Sequence, residues 1–359
     1  MKYAASLITC LALGGLAIPA HATPVFTIID LGALGGTSSF GGGINDRGQV
    51  TGAFVYSDNN EHAFLYDGKK MLDLGTLGGT TSFGASINES SEVAGSSTNS
   101  NNDQHAFLYD GKKMLDLGTL TGTNGVVSNG QGIDERGEVA GSSTSSNGTP
   151  HAFFYSGKKM LDLGTLGGTN SVGLGINERG EVTGAALTTG NASYLAFLYD
   201  GTKMLALGKL GGPNSVGQAV NANGEVTGYA YINNLVQHAF LCKGKKMLDL
   251  RTLGGTSSIG LGINERSEVV GDSGIGGGTT DAFLYVNGTM LDRNMLISRT
   301  DPLYGKVPLN QAVGINDSDQ IIVNGCYTSG PLINQCHAFL LKPMQRALLQ
   351  MRGLRPAPF

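Results

Sequence analysis

The segment INDRGQVTG (44–52) returns as INESSEVAG (87–95), IDERGEVAG (133–141), INERGEVTG (176–184), VNANGEVTG (220–228), INERSEVVG (263–271) and INDSDQIIV (315–323). Seven copies at offsets of 43, 46, 43, 44, 43 and 52 residues match the spacing of propeller blades, one supersecondary unit per repeat. Within the fourth copy four short β-type runs can be read: SVGLGIN (171–177), EVTGAAL (181–187), LAFLY (195–199) and KMLAL (203–207), here termed a, b, c and d. The a–b connection, Glu178-Arg179-Gly180, and the c–d connection, Asp200-Gly201-Thr202, are short and contain glycine, as hairpins require. Neither face of these runs is cleanly polar, which fits sheets covered on both sides.

The chain ends decide between ring and stack. The last copy stops at HAFLL (337–341) with no d run after it, while TIIDLG (27–32) near the start is a d run without a repeat. Pairing the two closes a ring and removes an open sheet edge. The expected fold is therefore all-β: a seven-bladed β-propeller of four-stranded antiparallel blades over residues 23–341, the last blade completed by the N-terminal strand. A β-solenoid, the alternative, would need caps that the sequence does not show. The glycine-rich a run is expected nearest the axis, where space is tightest.

Residues 1–22 read as a signal peptide: Lys2, an apolar run from Ala4 to Ile18, and the small-x-small site Ala20-His21-Ala22. The expected location is secreted, periplasmic or extracellular. No later stretch approaches the roughly 18 apolar residues of a membrane-spanning helix. With Lys2 removed, 23 basic residues stand against 28 acidic ones, a formal charge of −5; this balance argues against a nucleic-acid partner. Residues 342–359, KPMQRALLQMRGLRPAPF, form a basic tail. It is expected to be flexible, with contact to an anionic membrane surface as the alternative.

The third strand carries His-Ala-Phe at 62–64, 105–107, 151–153, 238–240 and 337–339, and DLGTLGG stands at 73–79 and 162–168. On these motifs the chain resembles the HAF family of extracellular repeat proteins over nearly its whole mature length. The resemblance implies an exported repeat protein of unassigned activity and supplies no catalytic residues. It also implies a C-terminal hydrophobic anchor, which the basic tail does not match.

Repetition weakens most catalytic readings. His62, His105, His151, His238 and His337 occupy one repeat position, so a ring would hold them apart, and structural bonds to a neighbouring strand or turn are expected in place of a metal site. The turn residues Asn45, Asn88, Asp134, Asn177, Asn221, Asn264 and Asn316 tolerate left-handed backbone and cap turns, and LGGTSS-type segments read as turns that lack a phosphate-loop lysine. The sequence suggests no catalytic residue, metal ligand or cofactor. Cys326 and Cys336 are the expected disulfide of an oxidising compartment, and Cys242 takes a core position that tyrosine holds in most other copies.

Departures from the repeat carry more functional information. The b–c and d–a loops share one rim, with variable segments near 96–104, 142–150, 185–194, 229–237 and 272–280 and an insertion at 293–309. Tyr56, Tyr194, Tyr229, Tyr231, Tyr304 and Tyr327 fall on or near that rim and offer apolar faces with polar tips for a sugar or a partner chain. The leading expectation is a non-enzymatic binding module for an extracellular glycan or protein. Alternatives are a polymer hydrolase or lyase on a propeller scaffold, and a structural adhesin or matrix component.

Overall fold

A computed structural model describes residues 26–123 and 125–344. The expected signal peptide and the tail from residue 345 onward lie outside these residues. Twenty-eight strands follow one another in seven antiparallel sets of four. Five sets are separate sheets, and the first two blades are joined into one sheet by a single parallel pair, Glu61 with Thr81. The fold is the seven-bladed propeller.

In the seventh blade Phe26–Asp30 pairs antiparallel with Cys336–Pro343, from Phe26 opposite Pro343 to Asp30 opposite Phe339. The terminal strand thus closes the ring, and its partner runs two residues beyond the expected limit of 341. The insertion between the sixth and seventh blades straps this closing strand. Ile28 N–H donates to Asp301 at 2.9 Å, and Ser298 N–H donates to the Phe26 carbonyl at 2.9 Å.

The His-Ala-Phe-Leu-Tyr pattern follows from the period of two along a strand with both faces covered. Ala63 and Leu65 of the first blade pack with Val93, Phe107 and Tyr109 of the second. Phe64 and Tyr66 point the other way, against Ile322, Ala338 and Leu340 of the seventh. Every phenylalanine at this position, from Phe64 to Phe339, is fully buried, each contributing roughly 1.5–3 kcal/mol by removal from water. The glycine of strand b has a steric cause: a Cβ at Gly95 would collide with the Phe83 carbonyl and the Phe107 ring.

The recurrent turn also has a local reason. Its fourth residue adopts left-handed backbone in every blade: Gly48, Gly137, Gly180 and Gly224 at φ near 73°, but Ser91, Ser267 and Asp319 at 61–63°. Glycine takes this conformation without strain and the other three do not. In the second and fourth blades the glycine-rich segment expected as a turn is drawn into strand a, which begins at Gly78 and Gly167.

Candidate functional site

The repeated polar residues are absorbed by the scaffold. In five blades the strand c histidine meets the strand d aspartate. His62 bonds Asp73 at 3.1 Å, His105 bonds Asp116 at 2.9 Å, and His337 bonds Asp30 at 2.8 Å, each through Nδ1; His151–Asp162 and His238–Asp249 repeat the arrangement. The aspartate also accepts a backbone N–H two residues on, such as Gly75 or Gly164 at 2.7–2.8 Å. Nε2 of His105, His151 and His337 is buried without a partner among the described residues.

The turn asparagines form a second ring. Asn45 donates through Nδ2 to the Asn88 carbonyl at 2.9 Å, Asn88 to Asp134, Asn177 to Asn221, Asn221 to Asn264, and Asn316 back to Asn45. Their Oδ1 atoms accept backbone N–H groups of their own turns, so the amides both cap turns and link blades. Asp134 has no amide proton to give, and Arg136 bridges that step by donating to the Glu178 carbonyl at 3.1 Å. Among the described residues no group of three or more His, Cys, Asp or Glu is placed to hold a metal ion.

A third device escaped sequence reasoning. A buried serine five residues before the end of strand a accepts a backbone N–H from strand c of the preceding blade and donates to a carbonyl at or just past the end of that blade's strand d. Ser82 joins Ala63 and Gly75, Ser171 joins Ala152 and Gly164, and Ser39 joins Ala338 and Gly32 across the ring closure. The seventh blade has Leu309 in this place, and Asn294 substitutes by exchanging two bonds with the Leu309 backbone. The signal was a serine recurring in six copies, after Thr, Ser or Asn in five of them and after Val127 in the third, which reads equally well as loop composition.

The six tyrosines separate in space. Tyr56 and Tyr327 belong to the scaffold: Tyr56 donates to Asp73 at 2.9 Å and Tyr327 to Asp30 at 2.6 Å, each ring edge-on to the adjacent histidine. Tyr327 is buried, on a loop closed by the disulfide between Cys326 and Cys336. Burial and Asp30 together push its phenol far up. Cys242 is buried as well, and burial pushes its thiol up to about 11, which keeps it unreactive.

Tyr304 is exposed on the insertion. Tyr194 of the fourth blade and Tyr229 and Tyr231 of the fifth form a partly exposed group. The last two have ring centroids 6.4 Å apart, and burial and then the neighbouring Tyr229 raise the Tyr194 phenol. Leu235, 88% exposed, tips the next loop.

Strand a faces the axis as expected and encloses a channel of about 600 Å³, lined by all seven a strands together with Asn324 of strand b. Among the described residues no lining side chain is ionisable. Past the β-branched residues that end strand a, from Ile44 to Ile315, lies a mouth bearing Asp46, Glu89, Glu135, Glu178, Glu265 and Asp317. Each carboxylate accepts a backbone N–H of the preceding blade where one is placed to donate, as in Glu135 N–H to Glu178 at 3.0 Å and Asp317 N–H to Asp46 at 2.7 Å. Burial raises Glu135 and Glu178, and nearby carboxylates add to the effect.

No protein-family profile matches the chain, and no curated protein sequence does. Solved structures do match in fold. The β-propeller domain of the trilobed protease from Pyrococcus furiosus, described as having an open velcro topology, aligns with a TM-score of 0.51 at 10% identity over 74% of this chain and 86% of that one. A puromycin-hydrolyzing peptidase of Mycobacterium tuberculosis aligns at 0.53 and 10% identity over 90% of this chain and 55% of its own. TolB from Acinetobacter baumannii aligns at 0.46 and 11% identity over 83% and 64%. The chain thus spans less than two thirds of the length of TolB and of the peptidase. At these identities the likeness is one of fold: the chain is similar to β-propellers.

Proposed function

We propose that the protein is an exported, non-enzymatic binding module of the HAF-repeat type, whose variable rim engages an extracellular glycan or protein. The observation that carries this reading is the group formed by Tyr194, Tyr229 and Tyr231. These residues depart from the repeat, lie partly exposed at the junction of two blades, and take no part in the histidine, asparagine or serine links. Large amphipathic rings on a rigid scaffold bind at low entropic cost. The commitment of all five strand c histidines to strand d carboxylates further supports binding over catalysis. The readings of residues 1–22 as a signal peptide and of the disulfide pair support a location outside the cytoplasm.

The test is a glycan-array and cell-surface binding screen of the mature protein and of a variant with Tyr194, Tyr229 and Tyr231 changed to Ala. Specific binding by the first and its loss in a folded second is expected. A folded triple variant that binds as well as the parent would refute the assignment of the rim.

A further inference from the structure

We infer that the axial channel is a separate binding site for a neutral saccharide, entered from the end bearing Phe40 and Asn324. The inference rests on the reading of the protein as a binding module, but places this ligand away from the rim tyrosines. The channel wall is built from glycine-rich strands in which small residues would satisfy packing. The chain nevertheless places Phe40, Phe83, Gln131, Gln218 and Gln311 in it.

Gln311 is oriented by donating to Asp272 at 3.2 Å, and Asn324 by accepting the Gly41 N–H at 2.9 Å. Gln131 and Gln218 have no hydrogen-bond partner among the described residues. A carboxamide both donates and accepts, as a sugar hydroxyl does, and carries no charge that would select an ion. The two phenylalanines of adjacent blades provide faces for the apolar side of a pyranose ring. The volume, about 600 Å³, lies in the usual range for ligand pockets. At the opposite mouth the six acidic side chains disfavour anionic sugars and phosphates.

The experiment is titration calorimetry of the mature protein with maltotriose, cellotriose, mannotriose and triacetylchitotriose, alongside a neutral tripeptide, N-acetyl-Gly-Ala-Gly amide. Saturable binding of at least one trisaccharide is expected. Gln131→Leu with Gln218→Leu should weaken it by about tenfold or more, the loss expected for one to two hydrogen bonds. Lys158→Ala, exposed in a c–d turn outside both sites, should leave it unchanged. If the double variant does not fold, Gln218→Glu replaces it and should abolish binding by charging the channel. Absence of trisaccharide binding, binding of the peptide alone, or binding insensitive to the channel substitutions overturns the inference. Sugar binding lost in Tyr229→Ala but not in the glutamine variants would overturn it while leaving the rim reading intact.

Discussion

Ser171→Ala isolates the link between the third and fourth blades. Ser171 is fully buried; its hydroxyl accepts the Ala152 N–H at 2.8 Å and donates to the Gly164 carbonyl. Alanine keeps the backbone and removes one oxygen, leaving a buried N–H unpaired, while the partly exposed Gly164 carbonyl can turn to water. An unsatisfied buried donor costs about 1–3 kcal/mol, and the void left by one hydroxyl adds little. The urea midpoint should fall accordingly with an unchanged m-value, and the thermal midpoint by a few degrees. Ser82→Ala, in another blade, should cost the same, and the double variant should show the sum, because distant independent sites add. A change within about 0.5 kcal/mol, typical of surface substitutions, would refute the role given to these serines.

Other expectations concern the ring closure. Burial opposes ionisation of Asp30, but its bonds to His337, Tyr327 and Gly32 outweigh it and hold the carboxyl below its usual 3.8. Its contribution to stability is therefore present above that value and lost as pH falls below about 4; Asp30→Asn should flatten the acid limb of a stability–pH curve, and an unaltered limb would contradict this. Arg293 sits fully buried over the Phe26 ring at 3.8 Å, its three side-chain nitrogens without partners among the described residues, and burial pushes it down to about 9. Its N–H bonds Ala282 as Leu163 bonds Ala152, so it occupies a leucine position. Arg293→Leu should stabilise by about 1–4 kcal/mol, and a lowered thermal midpoint would show that the guanidinium has a partner. Reducing the Cys326–Cys336 disulfide should cost roughly 2–3 kcal/mol in urea melts, and identical melts with and without reductant would oppose that.

The repeat made the fold legible, because each copy carries its own hairpin signals and the missing last strand pointed to the orphan at 27–32. Links between blades were not legible. The serine at 82 and its partner at 63 belong to different copies, and no local rule pairs them. His-Ala-Phe and DLGTLGG were both visible, yet the bond from His105 to Asp116 depends on the register of strands c and d. Tyr56 and Tyr327 resembled rim residues because they depart from the consensus, whereas in space they cap His–Asp pairs. The amides of the channel were hidden because strand a reads as glycine and aliphatic packing until seven copies face one axis.

The central claim is that repeated residues build the ring while departures from the repeat bind. Its most direct test compares binding and thermal stability of His105→Gln with those of the Tyr194, Tyr229, Tyr231 triple alanine variant, on one cell-surface and glycan panel. The account predicts a lower melting temperature with intact binding for the histidine variant, and lost binding with little change in melting for the tyrosine variant. Lost binding in His105→Gln at unchanged stability would contradict it, because a repeated scaffold residue would then be acting at the site.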